Sequence, residues 1–119
     1  MVEIRDIELR SYSTAAQGSL VFNRIWQLRL ADGSPITREI GEAYFVVLDE
    51  GRAKLKLSLG NGLTWDDASK SILIQITNEQ VRFIRDDTTM EYAFYIVPPA
   101  PAGEIIPIRE GAVNALRVA

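Results

Sequence analysis

The sequence predicts an all-β fold, an antiparallel β-sandwich of about seven to nine strands with Greek-key connections. Three observations predict it. Segment after segment alternates apolar and polar residues with period two, clusters of turn-forming residues separate these segments at short intervals, and only one stretch carries a helical signature. The longest clean alternation is residues 19–30, where Leu20, Phe22, Trp26, Leu28 and Leu30 share one parity and Ser19, Asn23, Gln27 and Arg29 the other. Such a pattern describes a strand with one buried face. Arg24 breaks the apolar row once, which marks either a bulge or a side chain at the rim of the sheet.

In chain order, residues 2–12 alternate loosely through Val2, Ile4, Ile7 and Leu9, with a one-residue slip at Asp6-Ile7, and form an edge strand or an arm. Residues 13–18 are a loop into the anchoring strand. Asp32-Gly33-Ser34-Pro35 reverses the chain, and residues 36–41 cross to the next strand. Residues 42–48 are an apolar run rich in aromatic and β-branched side chains, suited to the middle of a sheet. Asp49-Glu50-Gly51 turns it into residues 52–59, a hairpin partner with Ala53, Leu55, Leu57 and Leu59 inward. Gly60-Asn61-Gly62 tolerates positive φ and predicts a left-handed turn, after which residues 63–65 pair briefly and residues 66–70 turn again.

Residues 71–76 read as a short strand with Ile72, Ile74 and Ile76 on one face. Thr77-Asn78-Glu79-Gln80 has capping-box spacing and predicts one or two helical turns over residues 78–84. Residues 86–89 form a polar loop, and residues 90–97 are a strand with Tyr92, Phe94 and Ile96 on one parity. The three prolines of residues 98–103 predict a stiff extended loop. A final strand over 104–108 bends or bulges at Gly111 and continues to Val118, with Leu116 and Val118 inward.

At 119 residues the chain makes one domain, residues 1–119, able to bury roughly two-thirds of its unfolded surface. Apolar residues at 47% and charged residues at 24% are those of a globular protein rather than a disordered one. A net charge of -3 with interspersed signs offers no broad field for nucleic acid or an anionic membrane, so neither is an expected partner. The absence of both cysteine and histidine excludes disulfides, thiolate nucleophiles, histidine relays and the usual zinc sites. Charged residues crowd the first fifteen positions, which leaves no signal-peptide core, and the longest apolar run is far short of the ~20 residues of a membrane helix. A soluble chain made in the cytosol is the expectation.

Several residues invite a chemical reading. Asp49-Glu50, Asp66-Asp67 and Asp86-Asp87 are paired acids of the kind used by calcium sites and glycosidases, but all three fall in expected turns, where carboxylates bond nearby amides. Gly60-Asn61-Gly62 lacks the further glycine, lysine and following helix of a phosphate loop. Trp65, with Tyr92 or Tyr95, could serve as a stacking surface for sugar, the alternative being core packing. Arg52, Lys54 and Lys56 form a short basic stripe whose expected task is to protect an edge strand from foreign pairing. No catalytic, cofactor-binding or metal-binding residue is assigned from these, and no cofactor is expected.

Taken together, the order of the segments resembles a family of small phage and prophage structural proteins with an immunoglobulin-like β-sandwich, similar to the N-terminal domain of upper baseplate proteins. The pieces that carry the resemblance are residues 22–30 followed by Asp32-Gly33-Ser34-Pro35-Ile36, then Gly60-Asn61-Gly62-Leu63-Thr64-Trp65. They continue with residues 72–76 leading into Thr77-Asn78-Glu79-Gln80, and with Tyr92-Ala93-Phe94-Tyr95 before Gly111-Ala112-Val113. Residues 36–41 and Thr88-Thr89-Met90 depart from the family's usual Asp-Leu-Thr-Gly entry and strand-leading glycine. The resemblance implies a non-enzymatic tail or baseplate component, assembled in the bacterial host cytoplasm. It would work through contacts with other virion proteins or with further copies of itself. The rival from another class is a carbohydrate-binding module.

Overall fold

The structure is a computed structural model that describes residues 3–29, 40–82, 88–99 and 105–118. Among these residues, nine strand segments lie in one mixed sheet: β1 (Glu3–Ile4), β2 (Ile7–Tyr12), β3 (Leu20–Gln27), β4 (Glu42–Asp49), β5 (Arg52–Leu59), β6 (Gly62–Asp66), β7 (Ser71–Thr77), β8 (Thr88–Val97) and β9 (Ile106–Val118). Their order is β1-β9-β8-β4-β5-β6-β7-β3, with β2 also on β9. β1 and β2 are two lengths of one edge, interrupted at Arg5-Asp6. The sheet curls until this edge and β3 come into contact, so the body is all-β and nearly closed, like a barrel.

Two features differ from the expected antiparallel sandwich. One ladder runs through the whole sheet, and two of its joints are parallel: β1 and β2 run parallel to β9, and β5 meets β6 in parallel through Ser58↔Gly62 and Leu59↔Leu63. The physical reason for the second is Gly60-Asn61-Gly62. Gly60 at φ 82° and Gly62 at φ 92° throw the chain into a compact loop, closed by bonds between Ser58 and Asn61, that sets β6 off in β5's own direction. The left-handed turn is as the sequence predicts; the strand that leaves it is not a hairpin return.

Alternation fills the interior. Phe22, Trp26, Phe45, Tyr92 and Phe94 meet there, with Trp26 at the centre, its ring 5.9–6.4 Å from the other four. Leu55, Leu57, Leu63, Ile72, Ile74 and Ile76 extend the core on one side, and Leu9, Val47, Ile96 and Val113 are buried in it too. β4 lies between β5 and β8, as its continuous apolar run predicts, and the β4–β5 hairpin turns through Glu50 and Gly51 at positive φ. Ala53 is exposed rather than inward, since a register shift between Val47 and Leu48 displaces it.

The anchoring strand is in fact an edge. Phe22, Trp26 and Leu28 are buried as expected, but Leu20 is 47% exposed beyond a register shift between Leu20 and Phe22; Leu30 lies outside the described residues. The N-terminal segment docks on its own domain, and Glu3↔Arg109 through Tyr12↔Val118 keep one constant register, so the interruption at Arg5-Asp6 adds no residue. β9 passes through Gly111 without a break, and its inward residues are Val113 and Ala115 rather than Leu116 and Val118. Gly111 is needed for another reason: a Cβ there would stand 2.0 Å from the Arg5 carbonyl oxygen.

The helical turn is a 3-10 turn over Glu79–Val81. The capping box is present, with the Thr77 amide donating to Gln80 Oε1 at 2.9 Å and the Gln80 amide to Thr77 Oγ1 at 3.3 Å. β8 starts at Thr88, two residues earlier than expected. The turn at 32–35, the pair Asp86-Asp87 and most of the proline loop lie outside the described residues.

Candidate docking site

The two ends of the sheet, β2 and β3, lie in contact and, by the pairing directions around the sheet, run antiparallel from the loop that joins them. Their near end is clasped by a single side chain. Asn78, buried just after β7, accepts the Tyr12 amide hydrogen at Oδ1 and donates from Nδ2 to the Tyr12 carbonyl, both at 2.8 Å, and also to the Ala15 carbonyl at 3.3 Å. The carboxamide thus takes the place of a neighbouring strand's peptide group. The Asn78 amide in turn donates to the Ser19 carbonyl, which ties the same point to the approach of β3.

Beyond this clasp no ladder joins β2 to β3 among the described residues. The seam is a groove of about 550 Å³ lined by residues 5–8, Arg10 and Tyr12 on one side, Val21, Phe22, Arg24 and Trp26 on the other, and Arg109. Its aromatic floor carries cations: the Arg109 guanidinium lies 4.1 Å from the Trp26 ring centre and that of Arg24 5.3 Å from the Phe22 ring centre. Arg24 occupies an inward position at the rim, one of the two placements its break in the apolar row allows. Glu8 bonds the Arg10 guanidinium, which holds that proton more firmly still, and Asp6 Oδ1 accepts the Ala112 amide at 3.1 Å where the β1–β2 ladder is interrupted.

The residues singled out in the sequence are scattered by the fold. Asp66 closes its own turn by accepting the Ala68 amide and the Ser69 hydroxyl. Asp67 pairs with Lys70 at 2.7 Å, and this hydrogen bond draws its pKa below the ordinary carboxylate value. Asp49 and Glu50 sit at the β4–β5 turn. Trp65, opposite Ile72, is partly buried against the core, and Tyr92 is only 2% exposed, while Tyr95 is on the outer face beside Tyr44, their rings 5.3 Å apart and tilted by 37°. These three aromatics therefore present no common stacking surface. Arg52, Lys54 and Lys56 are exposed on β5, along a stretch that β6 does not cover, and Lys56 lies 4.7 Å from the Tyr44 ring centre.

The seam itself was not legible in advance. Asn78 reads as part of a helix start, and nothing in one sequence says that its carboxamide reaches a tyrosine 66 residues earlier. Arg109 gives no signal either, because its meeting with Trp26 follows from the closure of the sheet.

Fold and groove together define a class: a nearly closed β domain in which the edges of β2 and β3 face each other across a groove without a ladder among the described residues. No protein-family model matches the chain, and no curated protein matches it.

Proposed function

We propose that the protein is a non-enzymatic structural or adaptor component of a phage or prophage particle, in its tail or baseplate, that works through protein–protein contacts at the β2/β3 seam. The observation that carries this reading is the pair of strand edges that face each other without a ladder, over an aromatic floor. Such edges take up an extended segment by main-chain hydrogen bonding. β3 adds apolar contact surface, since Ile25 is 69% exposed and Leu20 nearly half exposed on it. The resemblance to immunoglobulin-like baseplate domains supports the assignment to a virion. The finer description of the fold belongs to the same proposal: β5 and β6 pair through only two residues, so β6, β7 and β3 form a layer that packs across the core on the other strands, as in a sandwich.

A passive role also suits the acids, because Asp66 and Asp67 serve their own turn. The test is mass spectrometry and immunogold labelling of purified particles from induced host cells. Stoichiometric recovery with the tail fraction is expected. Particles that lack the chain, or a chain found only in free cytosol after assembly, would overturn the assignment.

A further inference from the structure

We propose that the seam receives one extended segment of another polypeptide that carries acidic side chains on alternate residues. This deepens the docking function proposed above and rests on it.

The main chain gives the geometry. Along a strand, the N–H and C=O of one residue point to one side and those of the next to the other. The amides of Arg5 and Ser13 donate to Glu110 and Val118 of β9, whereas Tyr12 points the opposite way, to Asn78. Glu8 and Arg10 share Tyr12's parity and direct their peptide groups across the seam. On β3, the Leu28 amide donates to Lys70, so the even residues face β7 and the odd ones, Asn23 and Ile25, face the seam. An entering strand meets two pairing edges at once, beyond the point where the Asn78 clasp ends.

Charge selects what enters. Four guanidinium groups, those of Arg5, Arg10, Arg24 and Arg109, and two carboxylates line the groove; Glu8 bonds Arg10, Asp6 accepts the Ala112 amide, and Arg24 donates one hydrogen to the Asn23 carbonyl and has others to offer. A guanidinium lying over an aromatic ring directs its N–H groups sideways, the geometry that grips a carboxylate in a fork. Side chains on alternate residues of a strand fall on one face, so acids at that spacing would meet Arg24 and Arg109 over the floor. A second copy of this chain is disfavoured, because its own edges would bring the same arginines against these. A nucleic-acid backbone is disfavoured by the carboxylates in the wall and by the net charge of -3.

The experiment titrates the full chain with an end-capped octapeptide of alternating Thr and Glu, and with Thr-Gln and Thr-Lys versions, followed by tryptophan fluorescence and amide hydrogen exchange. The Thr-Glu peptide should bind saturably, at least tenfold more tightly than Thr-Gln and far more tightly than Thr-Lys. It should weaken with added salt and protect the amides of Glu8, Arg10, Asn23 and Ile25. Arg24→Gln, at an exposed residue, should weaken it severalfold, and Arg24→Gln with Arg109→Gln tenfold or more, at unchanged melting temperature. Should the double variant fail to fold, Arg24→Gln alone still decides the point. Equal binding of Thr-Gln and Thr-Glu overturns the selection of acid but leaves docking at the seam standing. Absence of protection by all three peptides overturns both. Competition by free glutamate as effective as the peptide shows an adventitious anion site only and overturns the proposal, as does a concentration-dependent dimer that protects the same amides.

Discussion

The Tyr92 hydroxyl donates to the Arg5 carbonyl oxygen at 2.6 Å, a bond between residues 87 apart in sequence. Tyr92 is inward on β8 and directly opposite Gly111 on β9, so the phenol and the bare glycine together hold the point where the first strand segment dips over the sheet. Tyr92→Phe keeps the ring and removes the donor, and should cost about 1–2 kcal/mol. Urea unfolding should show a lower midpoint with unchanged slope, and the amides of β1 and β2 should exchange faster than those of β4.

Gly111→Ala strikes the same point from the other side. The new methyl would stand 2.0 Å from a backbone oxygen and 2.6 Å from its carbon, and no side-chain rotation relieves that. The N-terminal segment has to shift, at a cost of about 3 kcal/mol or more. Gly18→Ala is the control. Nothing lies within 4 Å of a Cβ there, and stability should stay within about 0.5 kcal/mol of the parent. Calorimetry on the two variants checks both expectations.

Asn78→Ala deprives the Tyr12 amide and carbonyl of their shared partner and should cost about 2–3 kcal/mol. Asn78→Asp retains the acceptor for the Tyr12 amide but turns a carboxylate toward two carbonyl oxygens. The introduced carboxyl is driven toward its protonated form, raising its folded-state pKa, so its deficit should shrink as pH falls through that pKa. Melting curves from neutral to acidic pH separate the two variants: Asn78→Ala keeps a constant deficit and Asn78→Asp recovers.

The turn after β6 carries a separate pH signature. Lys70 lowers the Asp67 pKa below its value in the unfolded chain, chiefly through their hydrogen bond. The pair therefore contributes only when Asp67 is ionised: fully above the unfolded-state pKa near 3.8, and progressively less as pH falls through the depressed one. Asp67→Asn should lower the melting temperature slightly at pH 7, and the difference should vanish in strong acid.

Strand existence was legible because burial on one face leaves a period-two record, which β3, β5, β7 and β8 show in Phe22 and Trp26, in Leu55 and Leu57, in the Ile72-Ile74-Ile76 row and in Tyr92-Phe94-Ile96, while β4, with Phe45, Val46 and Val47 all buried, shows the continuous apolar run of a central strand. Local hydrogen-bonding chemistry was legible too, as the Thr77–Gln80 box and the Asp66 turn attest. Pairing partners were not. The alternation of Ile7 and Leu9 says that one face is covered, and nothing in it specifies a parallel neighbour a hundred residues away. The parity of β9 was misread for a similar reason: Ala115 is small enough to hide its inward position, while Leu116 looks inward and is only half-buried. The seam is the sum of these non-local choices, which is why Asn78 and Arg109 stood out only in the folded chain.

Because β1 and β2 lie alongside β9, the portion of the polypeptide that leaves the ribosome early finds its neighbour only after some hundred further residues have been made. Until then, the flank that β2 will share with β9 is bare as well as the one it keeps bare. During that interval both flanks of β2 lack a neighbouring strand, so mispairing before β9 emerges threatens the same few residues that later edge the seam.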